Sequence, residues 1–275
     1  MIGSGAVNRE FPDMVVLTDK EGTAVFAEYQ LAADMTEAAR IVPWAGGAKA
    51  FPRELHNALN QHRLPFSKNR TLLLEGQGCR AVYCVLDGWL ALSKALQEGQ
   101  NQIIDFALPG DIVDPVAADG KTSSVNIEAL SDGALAAMPY RSWERMTGHW
   151  PEMQRLAHLS EAAQQARRAE RMLRLGKGTA EMRIAYAILE FCIRIDGTDD
   201  HETPSFHIPM TQQQLGDYVG LSSVHVCRTM RRLTRNKILA MRDHIEVRVL
   251  DACALARLAG VDREALEREI LPFRA

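Results

Sequence analysis

Apolar and polar positions change rhythm along the chain. Between residues 71 and 138, apolar runs at 71–74, 81–86, 89–93, 102–106, 126–130 and 134–138 are broken by Glu75-Gly76, Asp87-Gly88, Glu98-Gly99 and Pro109-Gly110-Asp111. Many short runs at even spacing, separated by glycine and proline turns, predict an antiparallel barrel or sandwich. From 151 to 175 the pattern is helical, with no internal Pro or Gly and a stop at Gly176, which predicts a helix about 37 Å long. Its apolar stripe is thin: Leu156, Leu159, Ala163, Ala166 and Leu173. A long helix this polar is read as too hydrophilic for a core and suited to packing on a twin helix in a homodimer. Glu170 interrupts that seam, and a long surface helix of a monomer is the alternative. Residues 179–195 form a further helix, with Ile184, Ile188, Phe191 and Ile195 at core spacing.

Residues 1–50 carry weaker signals. Strand-like runs at 14–18 and 24–29 around Asp19-Lys20-Glu21-Gly22 suggest a hairpin. Ala38-Ala39-Arg40 ends a short helix, 43–47 is a loop and 52–62 another helix.

The segment from Thr211 to Arg235 carries the chemistry. Thr211 and Gln214 form a capping box that starts one helix. Gly220 ends it in the left-handed turn that a tight corner needs, and Ser222 caps the next helix. Helix, short glycine turn and helix make a helix-turn-helix. At about 100° per residue, Cys227, Arg228, Arg231 and Arg235 fall within about 60° of Val224, while Val226, Met230 and Leu233 cluster near the opposite side. One face packs inward; the other offers forked donors and small side chains to a major groove. Ser223, Val224, Cys227, Arg228 and Arg231 are therefore the candidate base contacts. Thr211, Ser222, His225, Arg232, Arg235 and Lys237 are the candidate phosphate contacts. Strands at 238–241 and 245–250, joined by Arg242-Asp243-His244, predict a wing. Helices at 251–258 and 262–270 each begin at an aspartate in cap position.

Composition changes this picture little. The 275 residues carry a net charge of −3, with 47% hydrophobic and 24% charged positions, as in an ordinary globular protein. Charge distribution says more: seven Lys or Arg face two acidic residues, Asp243 and Glu246, between Ser223 and Arg248, the local surplus that phosphate contact requires. The sequence holds no membrane-length apolar run and no export signal. Cys79, Cys84, Cys192, Cys227 and Cys253 match neither a zinc pattern nor a disulfide framework, so a reduced, cytoplasmic protein without a metal site is expected.

These blocks resemble the Crp/Fnr family of bacterial regulators. The β segment carries Glu75-Gly76, Ala81-Val82-Tyr83-Cys84-Val85-Leu86-Asp87-Gly88 and Ile104-Asp105-Phe106-Ala107-Leu108-Pro109-Gly110-Asp111; the C-terminal segment carries Thr211-Gln212-Gln213-Gln214-Leu215 and Val224-His225-Val226-Cys227-Arg228. The resemblance spans about residues 70–259. It implies an α+β chain. Residues 1–50 would be an N-terminal extension, and 51–150 a β-roll, a cyclic-nucleotide-binding-like jelly roll. A dimerisation helix would follow at 151–176, and a winged helix-turn-helix at 177–275. The implied partners are double-stranded DNA and a second copy of the chain, with RNA polymerase left open. The family's guanine-contacting arginine falls on Arg228, but a glutamate often found four residues earlier is Val224 here, which alters the expected half-site. The ribose-binding glutamate and phosphate-binding arginine of cyclic-nucleotide binders align with Pro115 and Thr122. Nearby Lys121 is no substitute for a planar fork, so cyclic AMP is expected to bind weakly or not at all. The cysteine cluster of iron–sulfur members is missing. Haem remains open through an axial His or Cys such as His56, His62, Cys79 or Cys84, although each reads better as structural.

Two other functional classes bear on the sequence. One is a small-ligand or haem sensor whose helix-turn-helix serves protein contacts. The other is an enzyme, against which stands the lack of His-Glu-x-x-His, phosphate-loop and nucleophile-elbow motifs.

Overall fold

The computed structural model describes residues 53–196, 205–242 and 246–272. The expected hairpin at 14–29, the helix ending at Arg40 and the loop at 43–47 lie outside them.

A short helix, α1 (Arg53–Gln61), leads into eight strands: β1 (Arg63–Phe66), β2 (Thr71–Leu73), β3 (Ala81–Asp87), β4 (Leu90–Ala95), β5 (Asn101–Ala107), β6 (Ile112–Val113), β7 (Asn126–Ala129) and β8 (Gly133–Pro139). They form two antiparallel four-stranded sheets, ordered β1-β8-β3-β6 and β2-β7-β4-β5. Between the sheets pack Leu73, Tyr83, Val85, Leu90, Leu92, Ile127 and Leu135. The turns need glycine where two strands meet closely: a Cβ on Gly133 would lie 2.3 Å from the Asp87 carbonyl oxygen.

Two helices follow, α2 (Tyr140–His149) and α3 (Pro151–Lys177). Trp150 and Pro151 start α3, the proline sitting where its missing N–H costs nothing. The helix runs through Gly176 and is capped at Gly178, so the expected stop at Gly176 is corrected by two residues. Near its start Met153 and Leu156 join Leu59, Val82, Cys84, Met138 and Met146 in a core over the outer face of the roll. The same helix face continues inward with Ser160, Ala163, Arg167, Arg171 and Arg174, all buried. The expectation that α3 is too polar to be core is therefore overturned: among the described residues, three of its seven buried side chains are arginines. Leu156 and Ala163, expected at the dimer seam, are 2% and 3% exposed and have nothing left to bury against a partner. Beside it runs a second stripe of Leu159, Ala162, Ala166, Ala169 and Leu173, in which Ala162, Ala169 and Leu173 are exposed, Leu159 is half-buried and Ala166 is half-buried against the C-terminal core. Their spacing alternates three and four residues, the coiled-coil repeat.

The C-terminal region comprises α4 (Ala180–Asp196), β9 (Ser205–His207), α5 (Gln212–Val219), α6 (Ser223–Arg235), β10 (Leu239–Arg242), β11 (Glu246–Val249), α7 (Ala252–Ala259) and α8 (Arg263–Ile270). The three strands make one antiparallel sheet, β10-β11-β9. Fully buried Ile184, Ile188, Phe191, Val226, Leu233, Leu239 and Leu255 form its core, which continues into Trp89, Phe106 and Leu108 of the roll.

Charges neutralise each other where α3, α4 and the roll meet. Asp105 of β5 and Glu190 of α4 are buried, and Arg171 Nη1 lies 3.3 Å from both. Arg194 lies 3.1 Å from Glu190 and also pairs with Asp111. Arg167 approaches Asp111 at 3.6 Å. Burial alone would push the Asp105 carboxyl up, but Arg171, Arg167, Arg194 and Arg168 outweigh it and hold the group at about 2.

Candidate nucleic-acid interface

The helix pair that could meet nucleic acid is set by local caps. Thr211 Oγ1 accepts from the Gln214 N–H at 3.1 Å, and the Gln214 carboxamide oxygen accepts from the Thr211 N–H at 2.8 Å, completing the capping box. Helix α5 closes at Gly220, whose φ of +66° is left-handed. A side chain there would also stand 2.9 Å from Leu175 Cδ2. Gly216, inside α5, is a requirement the sequence reading missed. Its missing Cβ would lie 2.4 Å from the Leu221 carbonyl oxygen, so the turn closes only over a bare backbone. A glycine within so short a helix, four residues before a second one, was the available signal.

Ser222 then caps α6, its hydroxyl lying 3.4 Å from the His225 N–H and 2.9 Å from His225 Nδ1. On α6, Val226, Thr229, Met230 and Leu233 are buried. Val224 is 63% exposed, and His225, Arg228, Arg231 and Arg235 are exposed beside it. Ser223 and Cys227 are half-buried at the edge of this surface. The structure thus brings Ser223, Val224, Cys227, Arg228 and Arg231 onto one outward strip of a helix. An exposed forked guanidinium suits a guanine edge, and an exposed valine suits a thymine methyl.

The remaining candidates flank this strip. Thr211 is exposed at the N-terminus of α5 and Ser222 at that of α6. Arg232 is turned toward α4, its Nε 3.0 Å from Glu181. Lys237 is exposed with a φ of +57°, uncommon for a residue with a side chain. It closes α6 by a Schellman-type pair, the Lys237 N–H to the Thr234 carbonyl at 3.0 Å and the Ile238 N–H to the Leu233 carbonyl at 3.1 Å. The sheet beyond it presents Arg242 and Arg248 at the surface; residues 243–245 of the expected wing lie outside the described residues.

The proposed haem-ligand positions are differently placed. Cys79 and Cys84 are buried. Burial pushes the Cys84 thiol up to about 12, away from the thiolate that binds metals. Burial also lowers the basicity of His62; the His56 side chain lies outside the described set. Among the described residues, no group of three or more His, Cys, Asp or Glu is placed to hold a metal ion. No helix among them is long and apolar enough to cross a membrane.

At the position aligned with the cyclic-nucleotide phosphate arginine, Thr122 is engaged with a carboxylate. Asp119 accepts from the Thr122 N–H at 2.9 Å, the Thr122 hydroxyl at 2.8 Å and the Lys121 N–H at 2.8 Å. The backbone N–H of Thr122 foremost, with that of Lys121, keeps this carboxyl ionised below its usual range.

Comparison with known proteins places both halves. Residues 63–148 match the model of the cyclic nucleotide-binding domain and residues 182–258 that of the Crp-like helix-turn-helix domain. The chain is 28% identical over 196 residues to the transcriptional activator protein FnrA of Stutzerimonas stutzeri, covering 71% of this chain and 80% of that one. It is 28% identical over 203 residues to the nitrogen fixation regulation protein FixK of Bradyrhizobium diazoefficiens, covering 72% and 82%. The fold is similar to that of FixK2 from Bradyrhizobium japonicum, with a TM-score of 0.60 at 24% identity over 77% of this chain and 98% of that one.

Proposed function

Because the chain belongs to the Crp/Fnr family of bacterial transcription regulators, we propose that it binds a near-palindromic site in double-stranded DNA as a homodimer, reading bases with Ser223, Val224, Cys227, Arg228 and Arg231. The observation carrying this reading is the two-faced α6, apolar inward and arginine-bearing outward, set at its angle by the Gly220 turn. Two such helices related by a two-fold axis enter successive major grooves about 34 Å apart. Thr211, Ser222, His225, Arg232, Arg235 and Lys237 would hold phosphates. Arg232 does so only by sharing its guanidinium with Glu181. Selection of binding sites from genomic DNA, followed by gel shift against excess random fragments, tests the reading. Recovery of an inverted repeat is expected; sequence-independent binding, or none, would favour a protein-contacting helix-turn-helix.

The dimer seam we assign is the second stripe, Leu159, Ala162, Ala166, Ala169 and Leu173. Small residues at the three central positions let two backbones approach closely. Ala169 is exposed in the single chain, so Ala169→Glu leaves the protomer folded and sets two like charges against each other across the seam. Sedimentation is expected to show a monomer, and affinity for the inverted repeat to fall at least about tenfold, since each half-site must then be bound alone.

Lys237 gives a second test. Its left-handed backbone costs about 1 kcal/mol that glycine would not pay, and its charge compensates only if it meets a phosphate. Lys237→Gly is expected to raise the thermal midpoint while lowering the slope of log K against log salt by about 0.9 for each lost phosphate contact. An unchanged slope would remove Lys237 from the interface.

For the effector, cyclic AMP fits poorly. Where binders of that nucleotide carry an arginine, Thr122 donates to ionised Asp119, and a carboxylate repels a phosphate. Calorimetry is expected to show no micromolar binding. Activation rather than repression rests on likeness to FnrA, a transcriptional activator protein.

A further inference from the structure

Tyr218 stands two residues before the Gly220 turn that aims α6, yet its side chain is shared by three other elements. Its ring centroid lies 4.6 Å from that of Phe106 on β5 and is stacked 5.8 Å from that of Phe191 on α4. The Arg171 guanidinium of α3 sits 4.6 Å from the same centroid, and Arg171 Nη1 donates to the Tyr218 hydroxyl. That hydroxyl in turn donates to the Glu190 carboxylate, 3.1 Å away. Arg171 Nη2 reaches back to the Ile104 carbonyl of β5 at 2.6 Å, and its Nη1 to Asp105 at 3.3 Å. The backbone next to Tyr218 is held as well. Gln102 of β5 donates to the Asp217 carbonyl and, at 3.3 Å, to that of Tyr218. Arg183 of α4 donates to the Val219 and Gly220 carbonyls at 3.5 and 3.4 Å. The last turn of α5 is thus gripped by the roll and by α4, and through Tyr218 by the long helix.

Apolar packing alone would attach the DNA-binding region to the roll at many similar angles, because it has little directionality. Buried hydrogen bonds to ionised groups are directional and fail when the angle changes. Asp105, Arg171 and Glu190 are taken out of water at considerable cost, and the element they fix, besides one another, is α5.

We infer that Tyr218 is a positioning residue for DNA recognition: its bonds to Arg171 and Glu190 fix the angle between α6 and the long helix, and so set the half-site spacing that the dimer accepts. This rests on the DNA-binding reading above. The chemistry is a buried phenol joined to an arginine and a glutamate carboxylate, and the quantity it sets is geometric.

The test uses the full-length protein and duplexes built on the selected inverted repeat, with half-site separation changed by one and by two base pairs. Tyr218→Phe keeps the ring and removes the hydroxyl. Gln102→Ala, at a half-buried position, releases the α5 carbonyls without stranding a charge. Val226→Ala weakens the DNA-binding core without touching the joint and controls for lost stability. Active fractions come from stoichiometric titration. Wild type is expected to lose about tenfold or more in affinity on a misspaced site, and Tyr218→Phe and Gln102→Ala about threefold or less, since a loosened arm spans more separations. Val226→Ala lowers affinity on every duplex alike and keeps the wild-type ratio. A wild-type ratio in both Tyr218→Phe and Gln102→Ala overturns the assignment while leaving DNA binding intact. Failure of wild type to bind the inverted repeat at all overturns both.

Discussion

Arg171→Ala is expected to destabilise the protein by about 3–5 kcal/mol, the usual cost of leaving a buried charge without its partner. Arg171 is 7% exposed, and its loss takes from Asp105 and Glu190, both buried, a shared counter-charge 3.3 Å from each, leaving Arg167 and Arg194 near both and Arg168 near Asp105. The unfolding midpoint in urea measures the effect. Adding Asp105→Asn to Arg171→Ala should restore part of the loss, because a neutral amide is cheaper to bury than a carboxylate that has lost its nearest counter-charge. The pH dependence follows from the same charges. Asp105 is held at about 2, below its unfolded value. Its stabilising contribution is therefore fully present above about pH 4, and is lost as pH falls from there through its folded value. Asp105→Asn should remove that part of the acid limb. Arg171→Ala should move it to higher pH, because burial then meets less opposing charge. If Arg171→Ala unfolds at the wild-type urea concentration, the buried network contributes nothing to stability.

Arg228→Ala is expected to reduce affinity for the selected site by about 1–3 kcal/mol per contacted base, and to relax preference at one position in each half-site. The effect is doubled in a two-fold complex. Arg228 is exposed, and the nearest guanidiniums along α6 are engaged elsewhere in this reading, Arg231 at another base and Arg232 beside Glu181, so neither takes over the lost donors. Arg235→Ala, at the far end of the helix, should instead weaken all sequences alike and flatten the salt dependence by about 0.9 for one phosphate. Repeating the site selection with each variant checks this. An unchanged consensus for Arg228→Ala would assign base reading elsewhere.

The helix-turn-helix was legible in the sequence because its signals are local. Thr211 and Gln214 are three residues apart, Gly220 must take a positive φ, and the apolar face of α6 repeats every three or four residues. The strands of the roll were legible for the same reason, their turns being marked by glycine. The long helix was read two residues short and with two of its five stripe residues, Leu156 and Ala163, on the wrong side. Arg167, Arg171 and Arg174 lie on the same side as Leu156 and Ala163, and charged residues in a stripe look like a surface when their partners are out of sight. Those partners come from elsewhere: Asp105 is 66 residues from Arg171, and Glu190 is 19. No periodicity on α3 announces them. Once the arginines are assigned inward, the seam shifts to Leu159, Ala162, Ala166, Ala169 and Leu173, and Glu170 leaves it to pair with Arg174 at 2.6 Å. Gly216 was missed because the atom that excludes a side chain there belongs to the far side of the turn.

The central claim is that the strip from Val224 to Arg231 lies in the major groove. Methylation interference on the selected duplex tests it directly, because guanine N7 faces the major groove and adenine N3 the minor. Methyl groups at guanine N7 in each half-site should block the wild-type protein, and at the base facing Arg228 they should no longer matter to Arg228→Ala. Interference confined to adenine N3, with guanine N7 methylation tolerated throughout, would contradict the account.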